Sequence, residues 1–141
     1  MHHVVLTFAA MIAAAMFLNA GLDHVRRKHR AQMITCVIRP EQLNGLAAAL
    51  KKARLMPGMT ITEVRGFGRQ KGGPEVSSND PIRFLPKLKI EILVRELDVE
   101  PTMNIISENL RTGQIGDGKI IVYKAVSSMR VRTGERGLSA L

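Results

Sequence analysis

Tryptophan is absent from this 141-residue chain, and the aromatic residues are few: four phenylalanines and one tyrosine, Tyr123. These rings are scattered, so the stacked aromatic side chains with which many proteins bind single-stranded nucleic acid are missing. We therefore do not expect nucleic acid as a partner, although the net charge is +9. A positive charge of this size instead suits a small anionic ligand or an acidic partner.

Histidine is confined to the first 29 residues, and residues 33–141 contain a single cysteine, Cys36. Without histidine, this part of the chain cannot build a Ser-His-Asp triad, a Cys–His pair or a usual zinc site. Carboxylates and lysines leave an enzyme open as the alternative, but no positioned general base is visible. The cysteine cannot form an internal disulfide, and its apolar neighbours indicate a small buried side chain rather than a nucleophile. We therefore predict a protein that is not an enzyme.

Charged side chains are also missing from residues 4–22, a run about long enough to cross a bilayer as a helix. Basic residues follow at positions 26–30, and the positive-inside rule then places the downstream domain in the cytoplasm. Residues 1–32 are therefore either a membrane anchor or an upstream read-through from a misplaced start, because the folded pattern begins at Met33. We divide the chain into this N-terminal hydrophobic segment and a domain of residues 33–141.

The hydrophobic pattern of residues 33–141 switches between strand and helix periods. Runs rich in β-branched or alternating apolar residues predict four strands, at residues 34–39, 59–65, 88–94 and 119–126. A first helix is predicted to open at Pro40, and a second to be capped by Asp98. The order β-α-β-β-α-β predicts an α+β, ferredoxin-like domain. One face of such a sheet carries no helices, so an oligomer is expected.

Between the second helix and the last strand lies the glycine-rich stretch of residues 112–119, which contains Gly113, Gly116 and Gly118 and ends at Lys119. Glycines let successive backbone N–H groups turn toward one centre and form an anion site, to which a lysine adds a positive charge. The alternative interpretation is a glycine-capped helix end that leads into a strand. The spacing differs from that of a P-loop, so no such motif is inferred. Farther on, Arg130 and Arg132 would point to the same side of an extended segment.

Seven short motifs are distributed along residues 33–141. They are Ile-Arg-Pro at 38–40, Gly-Met-Thr at 58–60, Glu-Val-Arg-Gly-Phe-Gly-Arg-Gln-Lys-Gly at 63–72, Phe-Leu-Pro-Lys at 84–87, Lys-Ile-Glu at 89–91, the loop at 112–119 and Arg-Val-Arg-Thr-Gly-Glu at 130–135. Together they resemble the P-II family of signal-transduction proteins, the nitrogen regulatory proteins. Residues 1–32 lie outside this resemblance.

The resemblance implies a homotrimer that binds ATP or ADP between neighbouring subunits, with 2-oxoglutarate joining through a magnesium ion when ATP is bound. By motif position, the residues that would hold the phosphates are Gly116, Asp117, Gly118 and Lys119. Those that would reach the nucleotide across the subunit interface are Arg130 and Arg132, and those that would border the adenine and ribose are Thr60, Glu91 and Leu93. Nucleotide-binding residues at the base of the long loop would be Gly66 and Gly68. There, Gln70 would bind the magnesium and, with Lys87, the 2-oxoglutarate. A slow ATPase remains the enzymatic alternative.

Residues 72–84 resemble the family's mobile, partner-contacting loop, but this loop is slightly shorter here and lacks the tyrosine that many bacterial members use for uridylylation. Control by uridylylation is therefore not expected. The resemblance implies protein partners in nitrogen metabolism, with an ammonium transporter as one candidate, and a cytoplasmic location, tethered to the membrane if residues 4–22 form an anchor. The alternative function is a similar sensor that keeps nucleotide binding but detects a small anion other than 2-oxoglutarate.

Overall fold

The computed structural model of the protein describes residues 11–19, 21–22, 30–67, 83–114 and 116–141. Its domain has the predicted α+β order, and the elements are β1 (Ala31–Ile38), α1 (Leu43–Lys52), β2 (Thr60–Gly66), β3 (Leu85–Arg95), α2 (Val99–Leu110) and β4 (Ile120–Ala125). The strands pair in the order β2-β3-β1-β4, and every pair is antiparallel. This topology confirms the ferredoxin-like prediction.

The core lies between one face of the sheet and the two helices. Alternate residues of the central strands point into it, and these are Ile34, Cys36 and Ile38 on β1 and Ile90, Ile92 and Val94 on β3. Both helices cover them with buried residues at helical spacing: Leu46 and Leu50 on α1, and Ile106 and Leu110 on α2. Burial raises the pKa of the Cys36 thiol to about 11, as expected for a small buried side chain rather than a nucleophile.

Strand β1 begins at Ala31, before the predicted start at residue 34, and Ala31 and Gln32 are both buried. The reason is that β1 is a central strand: Ala31 lies opposite Arg95 on β3 and Ala125 on β4. Backbone hydrogen bonds on both sides extend the strand beyond the apolar alternation that predicted it.

Asp98 precedes α2, but its side chain does not cap the helix, so that prediction was wrong. Its carboxylate instead accepts a hydrogen bond of 2.6 Å from Nε of Arg95. The side chain is thereby used to hold the end of β3 against the start of α2, and it is not available to the helix N–H groups.

The N-terminal segment is helical at residues 11–19 and 21–22, with exposed side chains. Among the described helices, none is long and apolar enough to cross a membrane. Part of the predicted span of residues 4–22 lies outside the described residues, as does the long loop at residues 68–82.

Candidate functional site

The glycine-rich loop of residues 112–119 begins just after α2, which ends at Leu110. The carbonyl oxygen of Leu110 accepts a hydrogen bond of 3.1 Å from Nε2 of Gln42, which lies in the turn after β1. Arg111 follows in an extended conformation. A side chain from elsewhere in the fold, and not a glycine, therefore satisfies the last helical carbonyl, and the interpretation of the loop as a glycine-capped helix end was wrong.

Asp117 holds the two ends of this loop together. Its carboxylate accepts hydrogen bonds from the N–H groups of Thr112 and Gly113, at 2.7 and 3.0 Å, and a short one from the Thr112 hydroxyl. The guanidinium of Arg39, at the end of β1, lies 3.5 Å away. These partners hold the pKa of Asp117 below its usual range. The hydrogen bond from the Thr112 hydroxyl contributes most to this lowering, followed by the one from the Thr112 N–H group. Asp117 therefore connects the two ends of the loop, and both of its carboxylate oxygens already interact with other residues of this chain.

Replacing Asp117 with asparagine should destabilise the loop at neutral pH, because the amide keeps only one acceptor oxygen in place of two and carries no charge to pair with Arg39. A carboxyl group whose pKa is lowered by folding stabilises the native state above its unfolded pKa, about 3.9, and loses that contribution as the pH falls through its folded pKa. The thermal stabilities of both proteins should thus differ at pH 7 and converge only as the pH falls through the lowered pKa of Asp117. Asp98→Asn, which removes one exposed ion pair, is the control and should change stability less.

Gly118 packs against the end of β1, and its backbone is in a left-handed conformation with φ of +92°. A Cβ atom at this position would lie 2.4 Å from the carbonyl oxygen of Val37. Gly113 and Gly116 also have positive φ values, of 77° and 103°. The loop can therefore reach the sheet only with a glycine at position 118, and the conformation of its neighbours depends on glycine as well.

Lys119 is exposed and lines a cavity of about 170 Å³ between the loop and the end of α2. Arg111 also lines this cavity and donates a hydrogen bond of 3.2 Å to Oγ of Ser107. Arg111 was not among the predicted site residues. Its position directly before the loop was the only sequence signal, and an isolated arginine is more often a solvated surface residue.

Lys87 lies on β3 opposite Val64 of β2, close to where this strand pair ends at Gly66 and Leu85. A Cβ atom on Gly66 would meet Cγ of Lys87 at 3.4 Å, so the glycine leaves room for the lysine stem. Ile38, the last residue of β1, pairs with Leu88, which is next to Lys87, and Arg39, which follows Ile38, lies beside Asp117. Lys87 is therefore at the same end of the sheet as Asp117 and Lys119. Gly68 and Gln70, which were predicted to act beside it, lie outside the described residues.

Thr60, Glu91 and Leu93 lie on the sheet face that the helices leave uncovered. Thr60 pairs with Glu91 across β2 and β3, and Glu91 alternates with the core residues Ile90 and Ile92. The Glu91 carboxylate forms an ion pair of 2.8 Å with Lys89. These three predicted residues are therefore neighbours, in the middle of the sheet rather than at the end that carries Lys119.

Arg130 and Arg132 do not lie on one side of an extended segment, so that prediction was wrong. Met129 pairs with Arg136, and residues 131–133 form a turn between them. Arg130 is used within this hairpin, since its guanidinium pairs with Glu135 at 2.5 Å and donates to the main-chain oxygen of Leu141 at 2.7 Å. Arg132 lies exposed in the turn and has no ion pair within the part of the chain that the structure describes.

Apart from Thr60, Glu91 and Leu93 in the middle of the sheet, the predicted ligand-binding residues that the structure describes fall into two groups within one subunit. Strand β4 starts beside Cys36, near the loop, and ends with Ala125 beside Ala31, so the hairpin with Arg132 follows at its far end. Six residues of antiparallel strand span about 17 Å. One chain therefore brings Gly66, Lys87 and residues 116–119 to one end and places the hairpin at the other.

Comparisons with known proteins agree on one family. A family model described as nitrogen regulatory protein P-II matches residues 31–135. The nitrogen regulatory protein P-II of Rhodospirillum rubrum is 43% identical over 110 residues, 77% of this chain and 97% of that protein, and the Synechocystis protein of the same name is 44% identical with the same coverage.

Two solved structures are similar over most of the chain. One is the crystal structure of Arabidopsis thaliana PII bound to citrate, with a TM-score of 0.66, 38% identity, and coverage of 79% of this chain and 92% of that one. The other is a complex of B. subtilis GlnK with ATP, with a TM-score of 0.69, 32% identity, and coverage of 81% and 98%.

Proposed function

This chain belongs to the P-II family of nitrogen regulatory proteins, and on that premise we propose that it senses ATP and ADP in clefts between three identical subunits. Proteins of this family are regulators and not enzymes, which confirms the expectation drawn from the missing histidines. The ligand state of the clefts would control a partner protein of nitrogen metabolism through the loop of residues 72–84, which lies mostly outside the described residues.

The observation that carries the proposal is the set of contacts that Asp117 and Gly118 make in the described part of the loop at residues 112–119. Asp117 and Gly118 bind it to Thr112 and to β1, so its backbone does not have to be ordered when an anion binds, and preorganisation of this kind improves affinity. Lys119 adds an exposed positive charge. The relative GlnK was solved with ATP, which supports phosphate as the anion.

The separation of the two groups of residues supports a trimer. Lys119 and Arg132 lie at opposite ends of β4, and in a closed ring one end of each subunit can face the other end of its neighbour. The uncovered sheet face also carries exposed apolar side chains, Ile121 and Tyr123 among them, which an oligomer would bury.

We assign 2-oxoglutarate to Lys87 and Gln70, with magnesium held by Gln70 and the ATP phosphates. The described residues contain no group of three acidic, histidine or cysteine side chains that could hold a metal. A single amide oxygen from Gln70 together with the ATP phosphates fits Mg²⁺, because this ion usually takes few protein ligands and is held largely by substrate phosphates and water. When bound, it would screen the phosphate charge while Lys87 pairs with a carboxylate of the effector.

A similar sensor of a different small anion is the second candidate, and the citrate bound to the Arabidopsis relative favours a carboxylate in either case. The domain is proposed to work in the cytoplasm, without uridylylation of its short loop. A membrane tether through residues 4–22 would suit a transporter, such as an ammonium transporter, as the partner. Membrane fractionation of the full chain and of a chain starting at Ala31 tests this, and equal distribution would exclude the tether.

Calorimetric titration of the purified protein tests the function. ATP and ADP should each bind with dissociation constants in the micromolar range, about −8 kcal/mol, and 2-oxoglutarate should bind only when MgATP is present. Lys87→Ala should abolish the 2-oxoglutarate signal and keep ATP binding. If 2-oxoglutarate has no effect, the second candidate replaces the first. If neither nucleotide binds, both are excluded.

A further inference from the structure

Arg54 has a backbone conformation that is unusual for its residue type. It follows α1 with φ of +57°, and the other positive φ values among the described residues belong to glycines. Its N–H group donates to the carbonyl of Lys51, and that of Leu55 to the carbonyl of Leu50, both at 3.1 Å. This is a Schellman motif, in which the left-handed position is most often a glycine because a Cβ atom there is unfavourable.

Arg54 lines a cavity of about 460 Å³ at the end of the sheet away from Lys119. The rest of the lining is mostly apolar and includes Leu55, Met56, Leu138 and Leu141. A second arginine, Arg95, also lines it, but this one is paired with Asp98. Within the described chain, Arg54 itself has no ion pair or side-chain hydrogen bond, so its charge is available to a ligand.

The cavity adjoins the hairpin that carries Arg132. Leu141 forms part of the cavity wall, and its main-chain oxygen accepts a hydrogen bond of 2.7 Å from Arg130 at the base of that hairpin. Arg95 and Val94, also in the lining, are at the β3 end that lies opposite Ala31, where β4 ends. Arg54 and Arg132 are therefore two uncompensated cations at the same end of the subunit.

We propose that Arg54 is a further nucleotide-binding residue, which contacts the phosphates from the same subunit as Arg132 and across the interface from Lys119. This rests on the proposed function. A guanidinium suits that role because it can donate two parallel hydrogen bonds to a phosphate. An unfavourable backbone conformation that a glycine would relieve is a feature often found where a residue serves a ligand rather than stability.

The substitution Arg54→Gly separates these two effects because they have opposite signs. Glycine relieves the left-handed strain, so the midpoint of thermal unfolding of the ligand-free protein should rise by about 4 °C. The affinity for ATP, measured by calorimetry on the full chain, should fall about tenfold or more, as for the loss of a charge-assisted hydrogen bond. Arg54→Lys, which keeps the charge, should retain more of the affinity than Arg54→Gly.

Lys52→Gln is the matched control, because it removes one positive charge from the same helix end without altering the cavity lining. The proposal is overturned if Arg54→Gly binds ATP as tightly as the native protein, or if Lys52→Gln weakens binding equally, since Arg54 would then act only as a general surface charge. Native protein that binds no nucleotide would instead refute the proposed function itself. Native binding with an unaffected Arg54→Gly variant refutes only this inference.

Discussion

Gly118→Ala should lower the free energy of unfolding by more than about 2 kcal/mol and weaken nucleotide binding. The left-handed backbone alone costs an alanine about 1–2 kcal/mol. The larger part comes from the Cβ atom, which would lie 2.4 Å from the carbonyl oxygen of Val37. That oxygen belongs to the backbone at the end of β1 and cannot rotate away, so the loop must move off the sheet and carry Lys119 with it.

Gly113→Ala is the matched control for this prediction. Gly113 lies in the same loop with φ of +77°, but a Cβ atom there meets nothing within 4 Å. It should therefore show only the conformational cost, about 1 kcal/mol. Urea unfolding of the three proteins measures the difference. Equal losses of stability in both variants would show that the contact with Val37 does not position the loop.

Lys119→Ala and Arg132→Ala should each weaken ATP binding about 10- to 100-fold, because hydrogen bonds to a charged group contribute about 1.5–3 kcal/mol. Both side chains are exposed and neither has an ion pair among the described residues, so their removal should leave thermal stability nearly unchanged. Calorimetry at one fixed salt concentration measures the affinities, since the attraction is screened by salt.

Two control variants distinguish binding from general charge and from folding. Lys124→Ala removes the same charge from β4 outside the loop and should bind ATP like the native protein. Arg130→Ala should lower the midpoint of thermal unfolding as well as the affinity, because Arg130 braces the hairpin through Glu135 and Leu141. A native affinity in either Lys119→Ala or Arg132→Ala would contradict the assignment of that residue.

The fold was largely predictable because strands and helices leave periodic apolar patterns, and the alternation of Ile90, Ile92 and Val94 identified β3 directly. Side-chain contacts between residues from different elements or turns leave no such periodic pattern in the sequence. Asp117 was predicted to hold phosphate, but its contacts with Thr112 and Arg39 within the chain were not predicted. The placement of Arg130 depended on a hairpin turn, which brings Glu135 to it and which an extended reading of the sequence omits.

The site itself was predictable only in part, for a related reason. Motif positions predicted Lys119 and Lys87 as ligand-binding residues, but a single sequence does not report which residues one subunit would supply to its neighbour. Arg54 was not singled out, because its importance lies in a backbone angle rather than in its spacing. The roles assigned to Gly68 and Gln70 remain predictions, because residues 68–82 lie outside the described part of the chain.

The central claim is that each nucleotide site takes Lys119 from one subunit and Arg132 from the next. Its most direct test is to co-express Lys119→Ala and Arg132→Ala chains with different tags, purify the mixed trimers and titrate them with ATP. In a closed ring, every mixed trimer contains one interface at which both cations are intact. We predict that the mixed trimers regain one site of native affinity, although each parent variant has lost it. Mixed trimers that bind no better than their parents would contradict an intersubunit site.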